Sequence, residues 1–553
     1  MSTSLRGVGG APGIAVGAAV RFTASPTVWQ PAETDPELEL RRFAAAQVAA
    51  AAQLRMLAGQ LRAEGYESEA GIFDAQSLLV EDPTLSEEVA RRVRADPSAL
   101  EAAILAAVAE MRAALERLDD PYLRERAADM DAVGLALIAA LRGAPRAMHA
   151  LPPQAIVVAE DLAPAEVIAL RSSAAGFATA HGGPTSHTLI LARAFGIPAV
   201  VGLGDAVYSV RNDARVILDG DSSLVILDAA EDELAAYRRR IADRQAAAAQ
   251  RRALRDLPGA LADGHRVALL ANIGRPEDAQ AALEHGAEGI GLFRTEFLFF
   301  DRTSPPSEEE QLAAYRQVLA AMPGRPVVVR TVDVGGDKTL PYLGLGREPN
   351  PALGLRGVRL CMRRPELFQV QLRALLRAAL HGDLRIMLPM VATPEDLAWG
   401  REALRQAAES LDREGVAHRA DVPLGVMIET PAAAVVADLL APAAAFFSIG
   451  SNDLAQYTLA ADRSIAELAA RYPHTHLAVL RLIDSSVRAA ARAGIEAHVC
   501  GELAALPAAA SVLVGLGAGG LSMQPDAIPA VKEQLRGVSL AEARELAQSA
   551  LAE

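Results

Sequence analysis

The chain has 553 residues, a formal charge of −15 at pH 7, and 51% hydrophobic but only 4% aromatic residues. That length calls for roughly three to four domains, with cores built mainly from Ala, Leu, Val and Ile, and the acidic balance argues against nucleic-acid binding, which needs a basic footprint. Two cysteines (Cys361 and Cys500), no membrane-length apolar run and no signal-peptide layout at the start lead us to expect a cytoplasmic protein without disulfides or membrane insertion.

Residues 7–20, rich in Gly and short apolar side chains, read as turns and a strand. From 36 to 141 the period becomes helical, and Asp82-Pro83, Asp96-Pro97 and Asp120-Pro121 divide this stretch into several helices packed side by side. Strand patterns return at 155–158, 176–180, 199–201 and 215–218 with helical runs between them, which indicates a small α/β domain. Residues 231–257 read as one linker helix, and its run Arg238-Arg239-Arg240 as a solvated face.

The small α/β domain contains Gly182-Gly183-Pro184-Thr185-Ser186-His187, followed by the helical run Thr188-Leu189-Ile190-Leu191-Ala192-Arg193. Two glycines permit a tight turn and close approach to a ligand. Thr and Ser favour a helix start, and a His there sits among unpaired N–H groups that attract anions. The placement suits a histidine that accepts and gives away a phosphoryl group; the plainer alternative is a glycine turn with an incidental His.

After residue 260, strand-like runs recur at 267–273, 289–293, 327–332, 385–391, 424–428, 446–449, 496–499 and 520–523. Eight βα-like units in this length predict a closed (β/α)₈ barrel, with an open doubly wound sheet as the alternative. A barrel displays its active face at the C-terminal ends of its strands, where Arg294, Arg330, Glu429, Asn452-Asp453 with Arg463 further on, and Cys500 fall; Arg356 lies between the third and fourth strands. The arginines suit phosphate and carboxylate oxygens, and Glu429 with Asp453 are hard oxygen ligands suited to Mg²⁺. Such a site calls for a small, highly anionic phosphorylated substrate. A thiol at Cys500 suits proton donation to a carbanion-like intermediate, whereas Cys361 reads as a packed helix position. Of 54 basic residues only Lys338, in a glycine-rich loop, and Lys532, in an ordinary helix pattern, are lysine.

Together these residues closely resemble Enzyme I of the phosphoenolpyruvate-dependent sugar phosphotransferase system. The resemblance is carried by the His187 motif and by Phe447-Ser448-Ile449-Gly450-Ser451-Asn452-Asp453-Leu454-Ala455-Gln456-Tyr457-Thr458. Arg124-Glu125-Arg126-Ala127-Ala128-Asp129, Gly291–Phe297, Gly335-Gly336-Asp337-Lys338, Asn350–Arg356 and Val499–Leu503 add to it, as does Ala11-Pro12-Gly13-Ile14-Ala15 near the start. It implies a phosphohistidine α/β domain (1–24 and 143–230) interrupted by a helical domain that docks the carrier HPr (25–142), a linker helix (231–258), and a phosphoenolpyruvate-binding, dimer-forming (β/α)₈ TIM barrel (259–553). It further implies that Mg²⁺ sits on Glu429 and Asp453, that Arg294, Arg330, Lys338, Arg356, Asn452, Asp453 and Arg463 bind substrate, that His187 takes the phosphoryl group, and that Cys500 protonates the enolate. Acidic residues such as Glu67, Glu69, Glu81, Asp82 and Glu88 are candidates for steering a basic carrier.

The sequence departs from the family pattern at Gln76, where many relatives carry His, and at Val167, where Thr is expected; His181, Pro184 and the stretch 472–477 are also unusual. Gln76 bears on carrier docking, Val167 and His181 on the tuning of the histidine. Three rival readings compete. A pyruvate phosphate dikinase or phosphoenolpyruvate synthase needs an ATP-binding module, and none is legible. A nitrogen-regulatory paralogue normally carries an added N-terminal sensory domain, whereas the shared region here begins at residue 6. A degenerate interaction protein would not be expected to keep His187, Glu429, Asp453, Arg294, Arg330 and Cys500 together.

Overall fold

The computed structural model describes residues 2–22, 35–63, 66–117, 127–142, 151–162, 164–183, 186–300, 302–335, 340–344, 348, 350–463 and 465–552. The chain divides into two compact units, Met1–Gln245 and Ala246–Glu553.

The first unit is built on an eight-stranded sheet: β1 (Thr3–Arg6), β2 (Gly9–Ala11), β3 (Ile14–Phe22), β4 (Ala155–Ala159), β5 (Ala174–Thr179), β6 (Ala199–Val201), β7 (Arg215–Asp219) and β8 (Leu224–Leu227). Their spatial order is β1-β8-β7-β3-β4-β5-β6-β2. The inner strands β3, β4, β5 and β6 run parallel, and antiparallel strands complete both sides. β4 is buried at every position, as a strand covered on both faces must be.

Between β3 and β4 the chain forms the helices Pro36–Ala63, Glu67–Val80, Pro83–Ala95, Leu100–Glu116 and Ala127–Arg142. The Asp-Pro signals act here as caps. Asp82 accepts from the Thr84 amide with Pro83 in the first turn, and Asp96 does the same for Ser98; Asp120-Pro121 lies outside the described residues. Phe43, Leu61, Phe73, Ile104 and Met130 of these helices join Val157, Phe177 and Leu189 of the α/β part in one core.

The linker helix runs Glu231–Ala253, shorter than the sequence pattern. Its arginine run is not merely a solvated face: Arg240 pairs at 3.0 Å with Asp219, a carboxylate only 2% exposed, and lies over the Tyr237 ring.

The second unit is a closed barrel of eight parallel strands: β9 (Ala268–Ile273), β10 (Ile290–Arg294), β11 (Val327–Arg330), β12 (Leu384–Leu388), β13 (Leu424–Ile428), β14 (Phe446–Gly450), β15 (Glu496–Cys500) and β16 (Gly520–Met523), with β16 closing on β9. Closure settles the choice against an open sheet. Period-two alternation sends Leu292, Val328, Met387, Met427, Phe446 and Cys500 into one interior cluster, while the opposite faces pack against the helices. The irregular stretch near 472–477 ends in a helix start: the His476 ring accepts from the Ala478 amide and caps Leu477–Ala493. Lys532 does lie on a helix, Ile528–Arg536, but it is fully buried, and its Nζ donates to the carbonyls of Arg255, Leu257 and Gly286 at 2.9, 2.8 and 3.1 Å.

Candidate active site

In the first unit, His187 opens the helix His187–Ala194 after a turn in which Gly182 adopts φ +107°, a left-handed conformation suited to glycine. Ser186 occupies the N-cap position, yet its side chain does not cap, and its buried Oγ has no partner among the described residues. Pro184 and Thr185 lie outside the described residues.

The imidazole faces the helical part of the same unit. Its Nε2 lies 3.0 Å from Asp129 Oδ1 and 3.1 Å from Gln76 Nε2, and Gln76 Nε2 lies 3.3 Å from the same Asp129 oxygen. An amide nitrogen can only donate. With Nε2 protonated, His187 Nε2–H and Gln76 N–H both donate to Asp129 Oδ1; with Nε2 unprotonated, it accepts from Gln76 instead. Gln76 is 1% exposed, so this departure bears on the histidine directly and not on an outer docking face. Val167 is fully buried in the apolar core, and His181 is exposed, 3.6 Å from Glu160. Burial pushes the carboxyl of Asp161 up, with His181 and His187 facing it.

Of the acidic residues proposed for steering, Glu81 pairs with Arg55, Glu88 with Arg91 and Arg92, and Asp82 is the helix cap already described. Glu69 is half-buried, and the side chain of Glu67 lies outside the description.

In the second unit, a cavity of about 770 Å³ opens at the C-terminal ends of the strands. Arg294, Arg330, Arg356, Glu429, Asn452, Asp453, Arg463 and Cys500 all line it. Lys338 lies outside the described residues. Each strand delivers its residue at its end: Arg294 closes β10, Arg330 closes β11, and Cys500 closes β15.

Two strand-end carboxylates given no role from the sequence, Glu296 and Asp333, organise the arginines. Arg330 reaches Glu296 at 3.1 Å and Asp333 at 3.2 Å, and its buried Nε has no hydrogen-bond partner among the described residues. Arg356 forks onto Asp333 through Nε (3.0 Å) and Nη2 (2.7 Å). Burial works against charge on both arginines, but the facing carboxylates outweigh it and hold both well above the usual guanidinium range. Arg294 goes the other way: burial, then the charge of Arg330, pulls it down. Each of the two acids follows a predicted arginine closely, at two and three residues' distance; that spacing was the available signal.

Glu429 follows β13 and is 1% exposed. The backbone N–H of Met390, a non-glycine residue at φ +58°, donates to its Oε1 at 2.6 Å. Burial, then the charges of Asp453 and Asp333, pushes its carboxyl up to about 8. Two crowded carboxylates with room beside them suit a hard divalent cation that takes its remaining ligands from water and substrate. Among the described residues no group of three or more His, Cys, Asp or Glu forms a closed metal cage.

Asn452 exchanges hydrogen bonds with Glu502: Nδ2 donates to Oε1 at 3.2 Å, and Oδ1 accepts from the Glu502 amide at 3.0 Å. Gly501 makes this crossing possible, since a Cβ there would meet Ser451 Oγ at 2.4 Å and Asn452 Oδ1 at 2.8 Å. Arg463 is exposed. Cys500 is buried, its Sγ accepts from Ser448 Oγ at 3.4 Å, and burial pushes the thiol up to about 11. It is therefore a proton-bearing group at neutral pH. Cys361 is wholly buried in the helix Val358–Arg363, as its pattern implied.

Comparison with known proteins covers both units. Family profiles match residues 6–126 (PEP-utilising enzyme, N-terminal), 151–223 (PEP-utilising enzyme, mobile domain) and 248–540 (PEP-utilising enzyme, PEP-binding domain). The phosphoenolpyruvate-protein phosphotransferase of Priestia megaterium is 39% identical over 545 residues, spanning 98% of this chain and 95% of that protein. Its namesake from Geobacillus stearothermophilus is 40% identical over 551 residues, spanning 99% and 95%.

Proposed function

The chain belongs to the phosphoenolpyruvate-protein phosphotransferase family, and within it we propose that His187 carries the phosphoryl group from phosphoenolpyruvate to a histidine of the carrier HPr. The observation that carries this reading is the convergence on one cavity of four arginines, two crowded carboxylates and a protonated thiol. The shared name of the relatives favours this transfer over a nitrogen-regulatory relay.

Arg294, Arg330, Arg356, Arg463 and Asn452, with Lys338, would bind the phosphate and carboxylate of phosphoenolpyruvate. The Nε of Arg330, without a partner among the described residues, is a buried donor of the kind an anion satisfies. Glu429 and Asp453 would hold Mg²⁺, which when bound neutralises charge on the transferring phosphoryl group. Phosphoryl transfer depends mainly on positioning and charge stabilisation. A lone pair of His187 forms the N–P bond as the P–O bond to the enol oxygen breaks, and the electron pair stays on that oxygen as an enolate. Cys500 then gives its S–H proton to the terminal carbon, pyruvate leaves, and the thiolate regains a proton from solvent.

We assign 1–24 with 143–230 to the phosphohistidine domain, 25–142 to HPr docking, 231–258 to the linker and 259–553 to substrate binding. Met56 and Leu78, both exposed on the helical part, support docking of a protein partner. Exposed Val435, Leu439 and Leu506 on the barrel support a homodimer. Two buried free cysteines and the absence, among the described residues, of a helix long and apolar enough to cross a membrane support a cytoplasmic place.

Isotope exchange tests the reading. Purified chain with Mg²⁺, phosphoenolpyruvate and labelled pyruvate should move label into phosphoenolpyruvate. His187→Ala should abolish the exchange. Exchange that survives His187→Ala contradicts the assignment.

A further inference from the structure

Tyr457, about one turn beyond Asp453 on the helix Ser451–Leu459, makes a contact that no spacing rule announces. Its hydroxyl accepts from Arg356 Nη1 at 3.0 Å and donates to the carbonyl of Ala352 at 2.6 Å. Ala352 belongs to the single turn Pro351–Leu353, and Pro351 and Ala352 line the same cavity as Arg356. One hydroxyl thus ties a wall of the cavity to one of its cations.

The other contacts of Arg356 show why this oxygen matters. Asp333 takes Nε and Nη2, which fixes one edge of the guanidinium. Nη1 is left on the cavity side, 3.6 Å from Asp453, and Tyr457 is its close partner at 3.0 Å. The wall is held separately as well: Arg359 donates to the Leu353 carbonyl at 3.2 Å, and the Leu355 amide donates to Glu348 at 3.0 Å. Removing the Tyr457 hydroxyl therefore frees the guanidinium edge and slackens one wall turn without dissolving the loop.

We infer that Tyr457 is a positioning residue, which fixes the free edge of Arg356 and the Pro351–Leu353 wall in the geometry that receives the anionic substrate. The inference rests on the reading of this cavity as the phosphoenolpyruvate site. Because the hydroxyl acts on a binding group and not on the reacting atoms, its loss falls on affinity more than on turnover.

The test is a double-mutant cycle on the full chain with Mg²⁺, with Tyr457→Phe, Arg356→Lys and the pair, measuring Kd for phosphoenolpyruvate by titration in a His187→Ala background, where no phosphoryl transfer consumes it, and KM and kcat by pyruvate exchange with His187 intact. Tyr457→Phe should raise Kd and KM about tenfold, as expected for one hydrogen bond to a charged group, with kcat within about twofold of wild type and the thermal midpoint unchanged. In the Arg356→Lys background the same change should add less than about twofold. Wild-type Kd in Tyr457→Phe alongside weakened Arg356→Lys overturns the role of Tyr457 alone. So does a full effect in the Arg356→Lys background, or a fall in kcat at constant KM. Unchanged binding in Arg356→Lys removes Arg356 from the substrate and overturns the cavity reading together with the inference.

Discussion

Asp129 and His187, 58 residues apart in sequence, meet through a contact of 3.0 Å between Oδ1 and Nε2, with Gln76 donating to the same oxygen. The carboxylate, 7% exposed, is placed to accept a proton carried on Nε2. Replacing Asp129 by Ala removes that acceptor. Long-range ¹H–¹⁵N spectra of wild-type His187 should show the Nε2–H form dominant, and Asp129→Ala should shift the ring toward a tautomer mixture. Unchanged nitrogen shifts would show that Asp129 does not set the tautomer.

Cys500 should behave as an acid, not a nucleophile. With the thiol pushed up to about 11 by burial, alkylation should be slow at pH 8 and accelerate only as pH approaches 11. Cys500→Ala should slow pyruvate release on the order of 100-fold, the usual weight of a general acid, with the fold intact. Fast alkylation at pH 8, or unchanged turnover in the variant, would remove this role.

Glu429 links stability to pH. Burial, then the charges of Asp453 and Asp333, pushes its carboxyl up from the ordinary 4.5 to about 8 in the folded chain. Between those values the folded state keeps a proton that the unfolded state has released, so this group's contribution to stability falls as pH rises through the window. Glu429→Gln should raise the thermal midpoint above pH 7 in metal-free buffer and abolish stabilisation by Mg²⁺. In the wild type, Mg²⁺ should stabilise more at pH 8 than at pH 5. Equal Mg²⁺ stabilisation in both proteins would place the ion elsewhere.

Lys532 should matter for stability alone. Its ammonium satisfies three carbonyls in a fully buried position, so Lys532→Met strands those acceptors. We expect a loss of about 2–4 kcal/mol in urea unfolding of the second unit, with exchange activity per folded molecule unchanged. A neutral unfolding midpoint would contradict the assigned role.

Much of the architecture was legible because periodicity and strand-end placement are local signals. The eight apolar runs closed into a barrel, and Arg294, Arg330 and Cys500 stand at the ends of their strands. The Asp82 and Asp96 caps could be read from two-residue signals. What escaped the sequence depends on distant chain segments meeting. Gln76 reaches His187 across 111 residues and Tyr457 reaches Ala352 across 105, and no spacing rule joins them. Lys532 does stand on the helix its pattern indicates, but that pattern does not reveal its burial or the three carbonyls converging on it from elsewhere. Ser186 holds a cap position without capping, so residue type alone overstated its part.

The most direct test of the central claim is transfer of ³²P from labelled phosphoenolpyruvate to the purified chain with Mg²⁺, followed by addition of HPr. The account predicts acid-labile label on wild type, none on His187→Ala, and rapid passage of the label to HPr. Label on folded His187→Ala, or none on folded wild type, would contradict it.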